Sequence, residues 1–170
     1  MIVKNLIIVR GAMGVGKTSV SRELQHLLPA AVLLDGDWCW DADPFVVNDE
    51  TKAMVVDNIV HVLTNFLRCS AYKNIVFCWV LQDRNTLLEI TNALSDLQRL
   101  PFQVFEYALT CDPNLLRQRL EPDVVAGMRT SADVERSLEY LPKYVNARRT
   151  IDVSDLSAEQ AAAIIASAIS

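Results

Sequence analysis

Two hydrophobic patterns alternate along the chain. Short apolar runs without a polar partner at every second position occur at Leu6 to Val9, Ala31–Leu34 and within Asn74–Leu81, and Pro101-Phe102 leads into a further predicted strand, Gln103–Leu109. Such runs predict strands covered on both faces, because a half-solvated strand alternates with period two. Arg149–Val153 predicts a fifth short strand. Between these runs the apolar residues take helical spacing. Thr18–Leu28 carries Val20, Leu24, Leu27 and Leu28 on one face, and Pro29 stops it. Thr51–Tyr72 carries Val55, Ile59, Val62, Leu63 and Phe66, with Asp49 or Thr51 as its candidate cap. Asn85–Leu97 reads as a helix, and Asp112 caps another through Leu120 that Pro122 ends. Glu121–Arg129 is polar, contains Gly127 and predicts a loop or mobile lid of about residues 121–131. Ser131–Leu141 resumes a helix on Leu138 and Leu141. Ser157 opens the last one, with Gln160 placed for a capping box. Residues 38–50 have no usable period and form a candidate flap. Strands alternating with helices predict a three-layer α/β/α fold around a five-stranded parallel sheet. At 170 residues and 51% hydrophobic content, one domain spanning 1–170 accounts for the chain.

The most informative stretch follows the first strand. Gly11-Ala12-Met13-Gly14-Val15-Gly16-Lys17-Thr18 is a GxxxxGKT phosphate loop in the strand–loop–helix context its chemistry needs, with Ser19 entering the helix. Its glycines let backbone N–H groups curl toward one centre, and the helix start adds a positive end. Lys17 suits the β and γ phosphates of ATP, and Thr18 suits Mg²⁺. In parallel sheets ligands gather beyond the carboxyl ends of the strands. That rule brings the phosphate loop, Asp35-Gly36-Asp37, the end of strand three with Gln82 and Asp83, and the segment after strand four to one crevice. Asp35 and Asp37, two residues apart on extended backbone, would point the same way. Phosphoryl transfer to a hydroxyl needs Mg²⁺ held and an acceptor oriented and deprotonated, one carboxylate for each task. A solvated Asp-Gly-Asp turn is the simpler alternative.

Charge narrows the partners. The formal net charge is −5, with no basic tract, which argues against nucleic-acid and anionic-membrane surfaces. No apolar stretch reaches spanning length, and Met1-Ile-Val-Lys runs into a core strand rather than a signal peptide. Cys39, Cys69, Cys78 and Cys111 are scattered without metal spacing, and His26 and His61 lack further ligands nearby. The expectation is a cytoplasmic protein, a monomer or weak homodimer, without structural zinc or disulfides.

These motifs resemble the small P-loop kinases of metabolites, the shikimate kinase and gluconate kinase group. The resemblance runs through the phosphate loop, LLDGD at 33–37, LLRQRL at 115–120, the arginine-bearing loop, and IDVSDLS at 151–157. It implies the P-loop kinase fold, with Asp35 on the Mg²⁺ side and Asp37 toward the acceptor as candidate base. By the same resemblance Arg119, three residues after Leu116, stacks on adenine. Arg129 is the lid arginine with Arg136 as the alternative, and Asp152, Val153 and Ser154 border the base. Trp38, Trp40 and Phe45 are candidates for the acceptor pocket, or else pack the flap on the core. The acids of the flap favour a neutral or cationic hydroxyl compound. Three features depart from the group. Trp38-Cys39-Trp40-Asp41 replaces the His-Pro of gluconate kinases, the shikimate-gripping arginines have no counterpart between Asp37 and Leu67, and strand three lacks a terminal Asp. The expected function is ATP-dependent phosphotransfer to a hydroxyl of a small metabolite. The alternative is an ATP-binding or ATP-hydrolysing switch module.

Overall fold

In the computed structural model, which describes residues 3–95, 101–145 and 147–169, five strands form one all-parallel sheet. They are β1 (Lys4–Gly11), β2 (Ala31–Asp35), β3 (Asn74–Trp79), β4 (Phe102–Thr110) and β5 (Thr150–Asp152), ordered β2-β3-β1-β4-β5. The helices are α1 (Lys17–Leu27), α2 (Asp49–Arg68), α3 (Arg84–Ser95), α4 (Pro113–Val125), α5 (Ser131–Tyr140) and α6 (Ala158–Ser167). This is the three-layer architecture expected, of the P-loop kinase type.

The apolar runs are continuous because alternate residues enter different cores. Ile7 and Val9 of β1, with Val76 and Cys78 of β3, face a cluster containing Val20, Leu24, Leu116, Leu120 and Ile165. Leu6 and Ile8, with Ile75 and Phe77, face a second cluster containing Val55, Ile59, Leu63, Leu87 and Ile90. Fully burying each such side chain stabilises by about 1.5–3 kcal/mol, so both faces select apolar residues.

Several boundaries differ from expectation. Helix α2 begins two residues early and ends at Arg68 instead of Tyr72. Its cap is neither Asp49 nor Thr51 but Asn48. The Thr51 N–H donates to Asn48 Oδ1 at 2.8 Å, while Thr51 Oγ1 accepts the Asn48 N–H at 3.0 Å. Helix α3 is described as far as Ser95, and the expected end at Leu97 lies outside the described residues. Pro122 does not end α4 but sits inside it. Proline forfeits its own N–H bond and crowds the carbonyl four residues before it, but its own carbonyl still accepts, and the Ala126 N–H donates to it at 3.0 Å. The helix ends instead before Gly127, whose φ of 73° is left-handed. The loop expected over 121–131 is thereby shortened to the connection 126–130. Strand β3 stops at Trp79 rather than Leu81, because Leu81 has a φ of 41° and leaves the ladder. Asp112 caps α4, and Ser157 with Gln160 forms the capping box of α6, both as expected.

Candidate active site

The phosphate loop joins β1 to α1 and lies beyond the carboxyl edge of the sheet. Gly14 and Gly16 take φ values of 82° and 108°, which side chains adopt only under strain. Gly16 is the N-cap of α1, so the turn that presents the helix start depends on it. Lys17 Nζ donates to the Ala12 carbonyl at 3.0 Å. Burial lowers the Lys17 pKa, with Asp37, Cys78 and Asp35 opposing the shift.

Asp35, at the end of β2, is buried. Its Oδ2 accepts the Thr18 hydroxyl at 2.7 Å, and its Oδ1 accepts the Asp37 N–H at 3.1 Å. Asp37 is not on extended backbone. It lies in a 3₁₀ turn, Gly36–Cys39, which corrects the expected strand geometry. The turn nevertheless keeps the two carboxylates together. Burial first, then the neighbouring Asp35, raise the Asp37 pKa against the pull of Lys17, the Trp79 hydrogen bond and Arg129. One hydroxyl and one buried carboxylate in contact fit Mg²⁺, which keeps several waters and takes its remaining oxygens from phosphates.

Two cavities flank the loop. One, of about 350 Å³, is lined by Gly14, Val15, Gly16, Ser19, Arg119, Val153, Leu156 and Ser157, among others. Arg119 bridges its walls, donating from Nη1 to the Val15 carbonyl at 3.1 Å and from Nη2 to the Val153 carbonyl at 3.4 Å. Asp152 and Ser154 are outside this wall. Their side chains bond each other at 2.6 Å, and Ser154 Oγ accepts the Asp112 N–H at the start of α4. Leu156, Ser157 and Ala158 take their place.

The other cavity, of about 480 Å³, lies beside Ala12 and Met13 and includes Asp37, Arg129, Arg136 and Gln82. Trp40 and Phe45 line it and stack with ring centroids 4.6 Å apart. Trp38 does not line it and is 56% exposed. Arg129 donates to Asp123 Oδ2 at 2.8 Å and reaches Met13 Sδ. Arg136 pairs with Asp133 at 3.3 Å. Asp83 turns away to cap the start of α3, accepting the Asn85 N–H at 2.9 Å.

Sequence reasoning missed the residues that fix the wall of this cleft. Trp79 Nε1–H donates to Asp37 Oδ1 at 3.1 Å. The Tyr144 hydroxyl donates to the Val80 carbonyl at 2.7 Å, and Arg10 donates to the Leu81 carbonyl at 3.3 Å. Arg10 is only 4% exposed, pairs with Glu106 at 2.8 Å and lies over the Tyr144 ring. Ser137 of α5 donates to the Met13 carbonyl at 2.6 Å, tying that helix to the phosphate loop. An arginine inside an apolar strand was the one visible signal.

A family model described as an AAA domain matches residues 7–137. The chain belongs to the AAA domain family. A search of curated proteins found no match. Among solved structures, this AAA domain is similar to the tunicamycin resistance protein of Deinococcus radiodurans (22% identity, TM-score 0.71, 98% of this chain and 95% of that one). It is also similar to a shikimate kinase from Acinetobacter baumannii solved with shikimate (21%, 0.65, 98% and 93%). A third neighbour is a gluconokinase from Sinorhizobium meliloti 1021 (16%, 0.64, 97% and 95%). At these identities the likeness is one of fold. None of the described helices is long and apolar enough to cross a membrane.

Proposed function

We propose that this AAA domain transfers the γ-phosphate of ATP to a hydroxyl of a small molecule. The observation that carries the reading is the pair of cavities on opposite sides of one phosphate loop. A nucleotide switch needs one of them, whereas a transferase needs a donor site and an acceptor site. The Arg119 side takes the nucleoside and the Asp37 side takes the acceptor. Two structural neighbours carry kinase names, one of them with shikimate bound, which supports a small acceptor.

Lys17 places a point charge at the β and γ phosphates, and the loop amides bind the phosphate oxygens. Thr18 and Asp35 would hold Mg²⁺, which neutralises charge on the β and γ oxygens when bound. Asp37 orients the acceptor hydroxyl and takes its proton as the new P–O bond forms and the bond to the β-phosphate oxygen breaks, releasing ADP. Its raised pKa brings its basicity nearer neutral pH than an ordinary carboxylate. Arg129 stabilises the charge developing on the transferred group.

The test is an acceptor screen with ATP and Mg²⁺, read as ADP release and phosphorylated product, followed by Asp37→Asn. ATP affinity should stay within about threefold, roughly 0.7 kcal/mol. Transfer should fall on the order of 100-fold. Asp35→Asn should instead raise the Mg²⁺ requirement. Wild-type transfer by D37N would remove Asp37 from the mechanism. The ending of β3 on Cys78 and Trp79 instead of a carboxylate favours the switch as second reading. Tight ATP binding with no acceptor supporting transfer would select it.

A further inference from the structure

We propose that the acceptor is an alcohol carried on an aromatic or compact apolar body, rather than a polyol, a sugar or a hydroxy acid. This rests on the kinase reading above and names the substrate class of that site.

The first argument is what lines the cleft. Trp40, Phe45, Trp79, Val80, Tyr140 and Tyr144 contribute to its wall, so aromatic faces share the space beside Asp37 with Gln82, Arg129, Asp133, Arg136 and Ser137. Such faces bind flat apolar groups and supply shape more than hydrogen bonds.

The second argument is that the polar groups there already have partners. Asp37 Oδ1 is taken by the Trp79 indole, Ser137 Oγ by the Met13 carbonyl, and the Tyr144 hydroxyl by the Val80 carbonyl. Asp133 is held by Thr130 and by Arg136, and Arg129 is held by Asp123. A polyol needs a partner for each hydroxyl it buries, because an unpaired buried hydroxyl opposes binding. The wall still offers the other oxygen of Asp37, the Gln82 amide, the Tyr140 hydroxyl and the acceptor capacity of the Ser137 and Tyr144 hydroxyl oxygens, enough for the reacting hydroxyl and few others. A hydroxy acid needs a cation for its carboxylate, and each cleft arginine already faces an acid that offsets its charge, Arg129 with Asp123 and Arg136 with Asp133.

The third argument is room for a body behind the hydroxyl. A third cavity, of about 490 Å³, shares Trp40, Trp79, Val80 and Gln82 with the cleft. It continues along Val47, Val55, Val56 and Leu81, between the flap, α2 and the turn after β3, with Asp49, Lys52, Asp83 and Glu89 also in its wall, so an apolar body has to seat on the Val and Leu side of it. The flap adds uncovered apolar surface at the junction, with Phe45 58% exposed and Val47 57% exposed. An apolar body seated there removes that surface from water.

All three tryptophans lie in or beside the site, so binding is readable without turnover. Trp38→Phe leaves Trp40 and Trp79, both in the cleft wall, as reporters. The experiment titrates this variant with 2-phenylethanol, cyclohexylmethanol, glycerol and gluconate, exciting tryptophan alone, and runs the same four compounds with ATP and Mg²⁺. The two apolar alcohols should change the emission saturably and bind at least tenfold tighter than glycerol or gluconate. Phe45→Ala, at an exposed position, should weaken them severalfold. Glycerol or gluconate binding as tightly as the apolar alcohols overturns the proposal. Phosphorylation of glycerol or gluconate without apolar binding overturns it too and leaves the kinase reading standing. Saturable apolar binding with no phosphorylated product supports the ligand class and counts against the kinase reading.

Discussion

Gly36 separates Asp35 from Asp37, and replacing it with alanine probes how the Asp37 carboxylate is held. An added Cβ would lie 2.4 Å from Trp79 Cγ, 2.6 Å from Cδ1 and 2.8 Å from Cδ2. Ordinary van der Waals contact begins near 3.4 Å, so the indole must retreat by about 1 Å. The atoms struck are at the root of the ring, where no flexible end can swing aside. The Gly36 backbone is outside the left-handed region, so the cost is steric and not conformational. Overpacking of this kind costs about 1–3 kcal/mol. For a chain of this size that lowers Tm by about 2–4 °C per kcal/mol. The displaced indole also loses its 3.1 Å bond to Asp37, so acceptor transfer should fall while ATP affinity is kept. Urea unfolding of G36A, W79A and the double variant provides the measurement. In the W79A background the cost of G36A should shrink to within about 0.5 kcal/mol, because the ring it strikes is gone. A neutral G36A, or strictly additive effects, would refute the reasoning.

Three other outcomes follow from the site. Lys17→Ala should largely abolish ATP affinity that depends on the terminal phosphates; equal calorimetric binding by K17A and wild type would sink the assignment. The lid at 126–130 should slow its hydrogen exchange when a non-hydrolysable ATP analogue binds, since Arg129 already links it to Met13 and closure would exclude water. Unchanged exchange there counts against a lid. The nucleotide-free protein should be stabilised at neutral pH by D37N. Burial and Asp35 raise the folded pKa of Asp37 above its ordinary 3.8, so its charged form is disfavoured in the folded state. The native state then holds the extra proton in the window from 3.8 up to the raised value, and stability falls as pH rises through it. The gain from D37N should therefore be largest above that window and shrink toward pH 4, as read by urea unfolding at both pH values. A D37N protein less stable than wild type at pH 7 would contradict this.

The fold was legible because each buried strand is a run of apolar residues whose alternate members serve two cores, and because caps such as Asp112 and Ser157 act within a few residues. The phosphate loop was legible for the same local reason. What failed were judgements about competition. Asn48 wins the cap of α2 over Asp49 because Thr51 can return its bond, and Pro122 stays in α4 because the next carbonyl–amide pairs still close. The cleft wall was hidden by distance along the chain. Trp79 reaches Asp37 across 42 residues, and Tyr144 reaches Val80 across 64. No local pattern encodes such pairs. Asp37 itself was found through a premise the structure replaces, since a 3₁₀ turn and not strand alternation brings it back toward Asp35.

The missing acid of β3 has a physical explanation in the register of the sheet. Asp35 of β2 sits directly opposite Cys78 of β3, so the end of one strand already fills the space a carboxylate on the other would use. Asp35 then bonds Thr18 at 2.7 Å, which is the position the Mg²⁺-side acid requires in the proposed mechanism. Cys78 is fully buried, and burial with the adjacent Asp35 pushes its thiol up to about 12, so it stays neutral. An aspartate at 78 would bring a third carboxylate to a buried site where Asp35 and Asp37 already meet only Lys17 and Arg129. Like charges that close raise one another's pKa, and one of the three would be held protonated. A neutral residue on β3 therefore avoids a third carboxylate beside Asp35 and Asp37, and in the proposed mechanism β2 rather than β3 supplies the acid.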